Sequence, residues 1–208
     1  AVVISTPYGR IFHTGDWKLD ETPVIGTPST EARLKEIGDT GVLALVCDST
    51  NVFNSEPSGS EGSVYPDLLR HVQDAKGRVV VTSFASNAAR LQTLANVARK
   101  AGRKLCVAGR SLNRILSVAQ ATGYLKNLPD MVDMNALDQY RRNEVLVIAT
   151  GGQGEARAAL GRIAEGSHPI KLAEGDTVIF SSKQIPGNEV AIGKVMNQLA
   201  HRNIHMVT

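Results

Sequence analysis

The sequence predicts an α/β protein in two parts: a short β-rich segment, then a parallel sheet flanked by helices. Three observations carry this reading. Beyond about residue 63, short apolar runs alternate with longer segments of helical length. Those runs, such as Val79-Val80-Val81 and Val145-Leu146-Val147-Ile148, are continuous, as in strands covered on both faces. Between the two textures lies a run of Ser, Gly, Pro and Glu over residues 54–62, the best candidate for a domain junction.

Taken in order, residues 2–5 and 9–13 are predicted strands joined by a Pro7-Tyr8-Gly9 turn, and a loop rich in Pro, Gly and Thr runs on to about Thr30. A helical turn or two is predicted at 31–37 behind a Ser29/Thr30 cap, and 42–46 reads as a continuous, buried apolar strand. After the junction, helices are predicted at 63–75, 87–101, 111–124, 155–165 and 188–202. Strands fall between and after them at 78–82, 104–108, 145–149, 177–181 and 204–207, and a polar stretch with Pro129 precedes the third of these. No internal sequence repeat accompanies this repeat of elements.

At 208 residues the chain can bury a real core, as one large domain or as one domain plus part of another. A net charge of +3 and a pI near 9.0 are compatible with a polyanionic partner but fall short of a nucleic-acid footprint. Cys47 and Cys106 both lie in apolar strand-like runs, where a thiol acts as a small hydrophobe, so a reducing cytoplasm is the expected setting. No apolar run approaches the roughly 20 residues that span a bilayer, and the N-terminus lacks the pattern of a signal peptide. Because Ala1 falls inside a predicted strand, further sequence upstream is expected.

In an open parallel sheet, ligands bind beyond the carboxyl ends of the strands. The residues there are small and polar: Ser83-Phe84-Ala85-Ser86-Asn87, with Arg90 one turn into the next helix, then Gly109-Arg110-Ser111. Thr150-Gly151-Gly152-Gln153-Gly154-Glu155 and a loop from Ser181 through Pro186-Gly187-Asn188-Glu189 complete the set. Glycine lets backbone approach an anion, and helix N-termini present free N–H groups to it, so the four loops together suggest a phosphate or nucleotide cleft. The dinucleotide fingerprint fails because Arg157 stands where its third glycine belongs. The P-loop fails because five residues separate Gly187 from Gly193-Lys194 and Val195 replaces the hydroxyl.

His201 and His205 have i, i+4 spacing, but the predicted helix stops near Asn203, which argues against a metal pair. His71 and His168 read as surface residues in polar surroundings, and Arg99, Lys100, Arg103 and Lys104 as a basic run offsetting a helix dipole. Phe84, at the cleft edge, either packs into the core or offers a face on which a base could stack.

Two acidic residues remain, each just past a predicted strand: Asp16 in His13-Thr14-Gly15-Asp16-Trp17-Lys18, and Asp48 in Cys47-Asp48-Ser49-Thr50-Asn51. They look like part of a zinc-hydrolase signature. The sequence holds no His-x-His-x-Asp-His run, however, and its five histidines are scattered. A hydrolytic zinc needs about three protein ligands and an open position, so the chain reads as the middle of an enzyme.

In order, the Asp16 and Asp48 blocks, Ser83-Phe84-Ala85-Ser86-Asn87, Gly109-Arg110-Ser111, Thr150-Gly151-Gly152-Gln153-Gly154-Glu155 and Ile185-Pro186-Gly187-Asn188-Glu189 resemble the ribonuclease J family. These are metallo-β-lactamase-fold nucleases with a β-CASP insertion. The resemblance implies that residues 1–55 are part of a metallo-β-lactamase αββα fold, 56–205 a β-CASP domain, and 206–208 the start of the return to the first. It implies a ribonuclease of RNA processing and decay, acting 5′ to 3′ and also endonucleolytically, cytoplasmic, oligomeric and not membrane-bound. It also implies two zinc ions in the complete enzyme, bridged by Asp16, with Asp48 a nearby active-site carboxylate and the histidine ligands outside residues 1–208. On the same likeness the β-CASP cleft holds RNA and senses its 5′ monophosphate through Ser83, Phe84, Ser86, Arg90, Arg110, Ser111, Gly151, Gly152, Gln153 and Gly154. Gly152 departs from the family's usual serine, which removes a hydroxyl and leaves the loop's backbone N–H groups. This chain alone is expected to be inactive. A noncatalytic β-CASP RNA-binding or assembly module is the alternative, and a small-molecule lactamase-type hydrolase is disfavoured by the β-CASP blocks.

Overall fold

The computed structural model describes residues 1–28, 30–56 and 59–208, so the predicted Ser29 cap and the junction residues Pro57 and Ser58 lie outside it. The chain divides into two compact units, Ala1–Ser63 and Val64–Thr208.

In the first unit, β1 (Val2–Thr6) and β2 (Gly9–His13) form an antiparallel hairpin, and β3 (Ala44–Val46) pairs with β2 in parallel. Helix α1 (Glu31–Asp39) starts where the Thr30 hydroxyl accepts the Arg33 amide, an N-cap that satisfies one of the helix's free donors. The predicted burial of the third strand is not met: Ala44, Leu45 and Val46 are all exposed. The physical reason is that α1 buries none of its own residues, so although Phe12 of β2 is buried, this unit leaves β3 uncovered. Cys47, read as a small core hydrophobe, is exposed for the same reason, while Cys106 is buried and both thiols are free.

The second unit is the predicted parallel sheet flanked by helices. Its strands are β4 (Val79–Thr82), β5 (Lys104–Ala108), β6 (Val145–Ala149), β7 (Thr177–Phe180) and β8 (His205–Val207), in the order β5-β6-β4-β7-β8 with every pair parallel. Strand alternation sends Val79, Val81, Leu105, Leu146 and Ile148 to one face, under α2 (Tyr65–Asp74), α3 (Ala88–Lys100) and α4 (Arg110–Ala121). Val80, Cys106, Val145, Val147 and Val178 go to the other, under α5 (Ala159–Glu165), α6 (Glu189–Ala200) and Leu137 of a short 3₁₀ helix (Met134–Gln139). Sealing both faces is what makes these runs continuously apolar.

The helix predicted at 155–165 begins only at Ala159. Arg157 sits in the left-handed region (φ 66°), which interrupts a right-handed helix. Thr150 then fixes the start: its Oγ1 accepts the Ala159 amide (3.2 Å) and its carbonyl the Leu160 amide (2.9 Å).

The amino ends of the strands are tied by buried charge. Asp176 is fully buried and accepts from the amides of Arg78 (2.8 Å) and Ala173 (2.8 Å), from Arg142 Nε (2.9 Å) and from Arg142 Nη2. Arg78, also buried, donates to the Lys171 and Leu137 carbonyls at 3.2 and 3.3 Å. Arg103, expected in a basic run at a helix end, is instead buried and donates to the Gly77, Val72 and Ala75 carbonyls.

Removing one partner of a buried, hydrogen-bonded charge set typically costs about 3–5 kcal/mol, because the remaining charges lose compensation. Asp176→Ala is therefore expected to lower unfolding free energy by about that amount in urea titration. Asp130→Ala, which breaks the solvent-screened pair with Lys104, is expected to leave it almost unchanged. Equal, small effects would show that the Asp176 cluster does not hold the sheet.

Candidate functional site

Because β2 and β3 are parallel neighbours, their carboxyl ends emerge side by side. The Thr14 amide donates to the Val46 carbonyl (2.9 Å), and the Asp48 amide approaches Thr14 Oγ1 (3.4 Å). The turn at 13–16 is closed internally, with the Gly15 amide donating to His13 Nδ1 (3.0 Å). Asp16 projects from that turn and is exposed. Asp48 accepts from both the Thr50 hydroxyl (2.5 Å) and amide (2.8 Å), which hold its carboxyl below the usual carboxylate range. Two carboxylates thus share one strand edge. Among the described residues no group of three or more His, Cys, Asp or Glu side chains could hold a metal ion. The chain's own donors therefore do not by themselves fit a zinc ion, which needs about three.

The second unit carries an open cleft of about 1020 Å³ along the carboxyl edge of β4, β5 and β6. That is the upper end of the range for ligand pockets. Four predicted residues line it: Ser83, Phe84, Arg110 and Ser111. Ser83 is buried and its hydroxyl donates to the Phe84 carbonyl, leaving the Phe84 ring 38% exposed, as a stacking surface requires. Helix α4 opens at Gly109 with no side-chain cap, so the amides of Arg110, Ser111 and Leu112 precede the first intrahelical bond, Asn113 N to Gly109 O.

Ser86, Arg90 and the loop of Gly151, Gly152, Gln153 and Gly154 do not line the cleft. Arg90 Nη1 donates to the Ser181 carbonyl (2.5 Å) and hydroxyl (2.6 Å), joining the first turn of α3 to the loop after β7. Gln153 is buried and performs the same task from β6: its amide nitrogen donates to Ser182 Oγ and the Lys183 carbonyl, and its oxygen accepts from the Ile185 amide and Asn188. The loop amides expected to meet an anion are also engaged, Gln153 N to Glu155 Oε2 and Gly154 N to the Gly151 carbonyl. Gly154, at φ 71°, packs so closely on α6 that a Cβ would stand 2.5 Å from the Ala191 carbonyl carbon. At Gly152 a Cβ would meet Thr82 Oγ1 at 2.7 Å, so a serine there requires Thr82 to move. These residues shape the edge from beneath.

The cleft gains residues that the sequence reading did not select: Asn113, Arg157, Arg162 and His168. His168, predicted to be a surface residue, is 5% exposed. Its Nδ1 accepts the Ile170 amide (3.2 Å), an Asx-like turn that leaves the proton of the neutral ring on Nε2. Protonating Nδ1 would set a donor against a donor. Burial, and then Arg162 and Lys171, push its pKa below the ordinary histidine value. The signal that could have found it is the His168-Pro169-Ile170-Lys171-Leu172 pattern, in which His168 falls in phase with the buried Ile170 and Leu172. Around the rim Arg110, Arg157 and Arg162 face one carboxylate, Glu155, so the cleft is net cationic.

Residues 76–199 match the family described as "Ribonuclease J, beta-CASP domain". Along its whole length the chain is similar to a ribonuclease J of Sinorhizobium meliloti at 42% identity and to one of Corynebacterium glutamicum at 43%. Over 95% of its length it is 42% identical to a ribonuclease J of Thermus thermophilus. It covers 37%, 29% and 35% of those proteins respectively, so it spans about a third of the length of the curated relatives it matches.

His168 sets a pH dependence. A base whose folded pKa is depressed takes up its proton first in the unfolded chain, so its contribution is full above the ordinary histidine value of 6.5 and is lost as pH falls below it. His168→Asn retains an acceptor for the Ile170 amide and does not titrate. The stability gap between wild type and this variant is expected to shift against wild type from pH 7.5 to pH 5 in urea titrations; a gap independent of pH would contradict this.

Proposed function

The chain belongs to the ribonuclease J family, and on that premise we propose that it is the RNA-holding middle portion of a metal-dependent RNA hydrolase. The observation that supports this most is the cationic cleft at the carboxyl edge, which falls within the matched region and collects Phe84, Ser111, Arg110, Arg157 and Arg162 around one opening. Single-stranded RNA lies there with phosphates against the guanidinium groups and a base on Phe84. Each stacked base contributes on the order of 1–3 kcal/mol, and affinity falls with salt as condensed counterions are released.

In this reading residues 1–55 are part of a metallo-β-lactamase-type domain, 56–205 form the β-CASP domain, and 206–208 begin the return of the chain. The activity is 5′ to 3′ exonucleolytic, with endonucleolytic cleavage as well, in RNA decay and rRNA processing in the cytoplasm, by a homo-oligomer. The metal would be zinc, two ions in the complete enzyme, with Asp16 as this chain's ligand and Asp48 orienting the site, and it would supply an activated water for phosphodiester hydrolysis. The histidine ligands come from the remaining two thirds of a protein the length of its relatives. The exposed Leu45 and Val46 of β3 are in keeping with further lactamase-domain layers over that sheet.

In the complete parent protein, Asp16→Asn is expected to lower cleavage of 5′-monophosphorylated RNA more than about a hundredfold and to release metal. Asp48→Asn is expected to lower turnover by roughly 10–100-fold with metal retained, as for a group that orients ligands. Cleavage assays paired with metal analysis after dialysis check both. Equal zinc loss would remove Asp48 from that role, and a wild-type parent that leaves RNA intact would overturn the nuclease reading. Residues 1–208 alone are expected to hold no stoichiometric zinc and to cleave nothing.

A further inference from the structure

We propose that the cleft contains a subsite for an internal phosphodiester of single-stranded RNA, in which the Nε2–H of His168 and the first amides of α4 are the ligands. It rests on the RNA-binding reading above and adds to it a neutral donor set separate from any recognition of the 5′ end.

Two independent observations meet here. Helix α4, twelve residues long, begins uncapped at the cleft, so its amides and the positive end of its dipole are directed at whatever lies there. The same cleft is lined by His168, which is 5% exposed, whose Nδ1 is taken by the Ile170 amide and whose Nε2–H has no hydrogen-bond partner among the described residues. Arg78 Nε is the one buried side-chain nitrogen or oxygen fully shut away without a partner among the described residues, so His168 Nε2 opens onto the cleft space. A donor with no protein acceptor and an opening to the cleft is available to an acceptor supplied from outside.

The chemistry of that acceptor follows from the charges. Arg110 and Arg162 exceed the lone carboxylate of Glu155, which favours an anion. The inner ligands, by contrast, are a histidine kept neutral by its turn and backbone amides, dipolar donors that match a singly charged phosphodiester better than a doubly charged phosphate monoester. The cleft is also far larger than one phosphate and carries Phe84 on its wall, so a strand can pass through with a base stacked beside the bound group.

The test uses the complete protein carrying Asp16→Asn, with fluorescence anisotropy on single-stranded oligoribonucleotides bearing either a 5′-hydroxyl or a 5′-monophosphate. His168→Asn keeps the turn acceptor and deletes the Nε2–H. It is expected to weaken both oligonucleotides by the same factor, roughly tenfold, as for a lost charge-assisted hydrogen bond. His168→Gln, whose amide reaches the Nε2 position, is expected to recover part of that loss. In the unsubstituted chain the His168 Nε2–H proton resonance is expected to move on adding the 5′-hydroxyl oligonucleotide, which tests the contact without a variant. Unchanged affinity in His168→Asn, a loss confined to the 5′-monophosphate ligand, or an unmoved resonance would overturn the subsite while wild-type cleavage of RNA left the nuclease reading standing. Failure of the Asp16→Asn protein to bind either oligonucleotide would bring down both.

Discussion

The carboxylate of Asp176 is the constraint on which the larger unit depends. It is fully buried just ahead of β7, yet it binds the amide that opens β4 and the guanidinium of Arg142, from the turn that opens β6. Those are the three central strands of the sheet. A charge so placed is tolerable only because four donors surround it and a cation shares its site. Its consequence is register: with Val79, Leu146 and Thr177 aligned at the amino edge, the parallel ladders deliver Thr82, Ala149 and Phe180 to one line at the other edge.

The two edges have opposite chemistry. At the amino edge the buried Arg78 and Arg103 and the half-buried Arg142 use their donors on carbonyls and on Asp176. At the carboxyl edge Arg110, Arg157 and Arg162 are exposed around an open cleft. The same residue type is scaffold at one end and available charge at the other. Gln153 and Arg90 fasten the loop after β6 and the first turn of α3 to the loop after β7, so the groups that can meet a ligand stand on a cross-braced base. Pre-organisation of this kind lowers the ordering cost of binding a flexible strand.

Much of this was legible from sequence, because the apolar runs of the parallel sheet obey a simple rule. Strands 104–108 and 145–149 were predicted to the residue, and the fold class follows from their alternation with helices. What escaped had a local cause or a missing partner. The start of α5 depends on a left-handed Arg157 and on Thr150, a residue nine positions away, and neither leaves a periodic signal. Ala44, Leu45 and Val46 are as apolar as a core strand, but apolarity reports what a strand can bury and not whether its own unit covers it. His168 was misread because its neighbours Ser167 and Pro169 are exposed while the ring itself turns inward to Ile170. Gln153 is expected from its place on the edge to meet a ligand, but its four partners lie in a loop some thirty residues away, which spacing could not show.

The proposed function requires polynucleotide to be held along the carboxyl edge while the amino edge holds register. Hydrogen exchange of the complete protein, with Asp16→Asn to prevent turnover, measures this directly when compared with and without single-stranded RNA. The account predicts slowed exchange in peptides covering 83–87, 109–113 and 155–168, and no change in those covering 76–79, 137–144 and 171–176. Protection at the amino edge, or none at the carboxyl edge under saturating RNA, would contradict it.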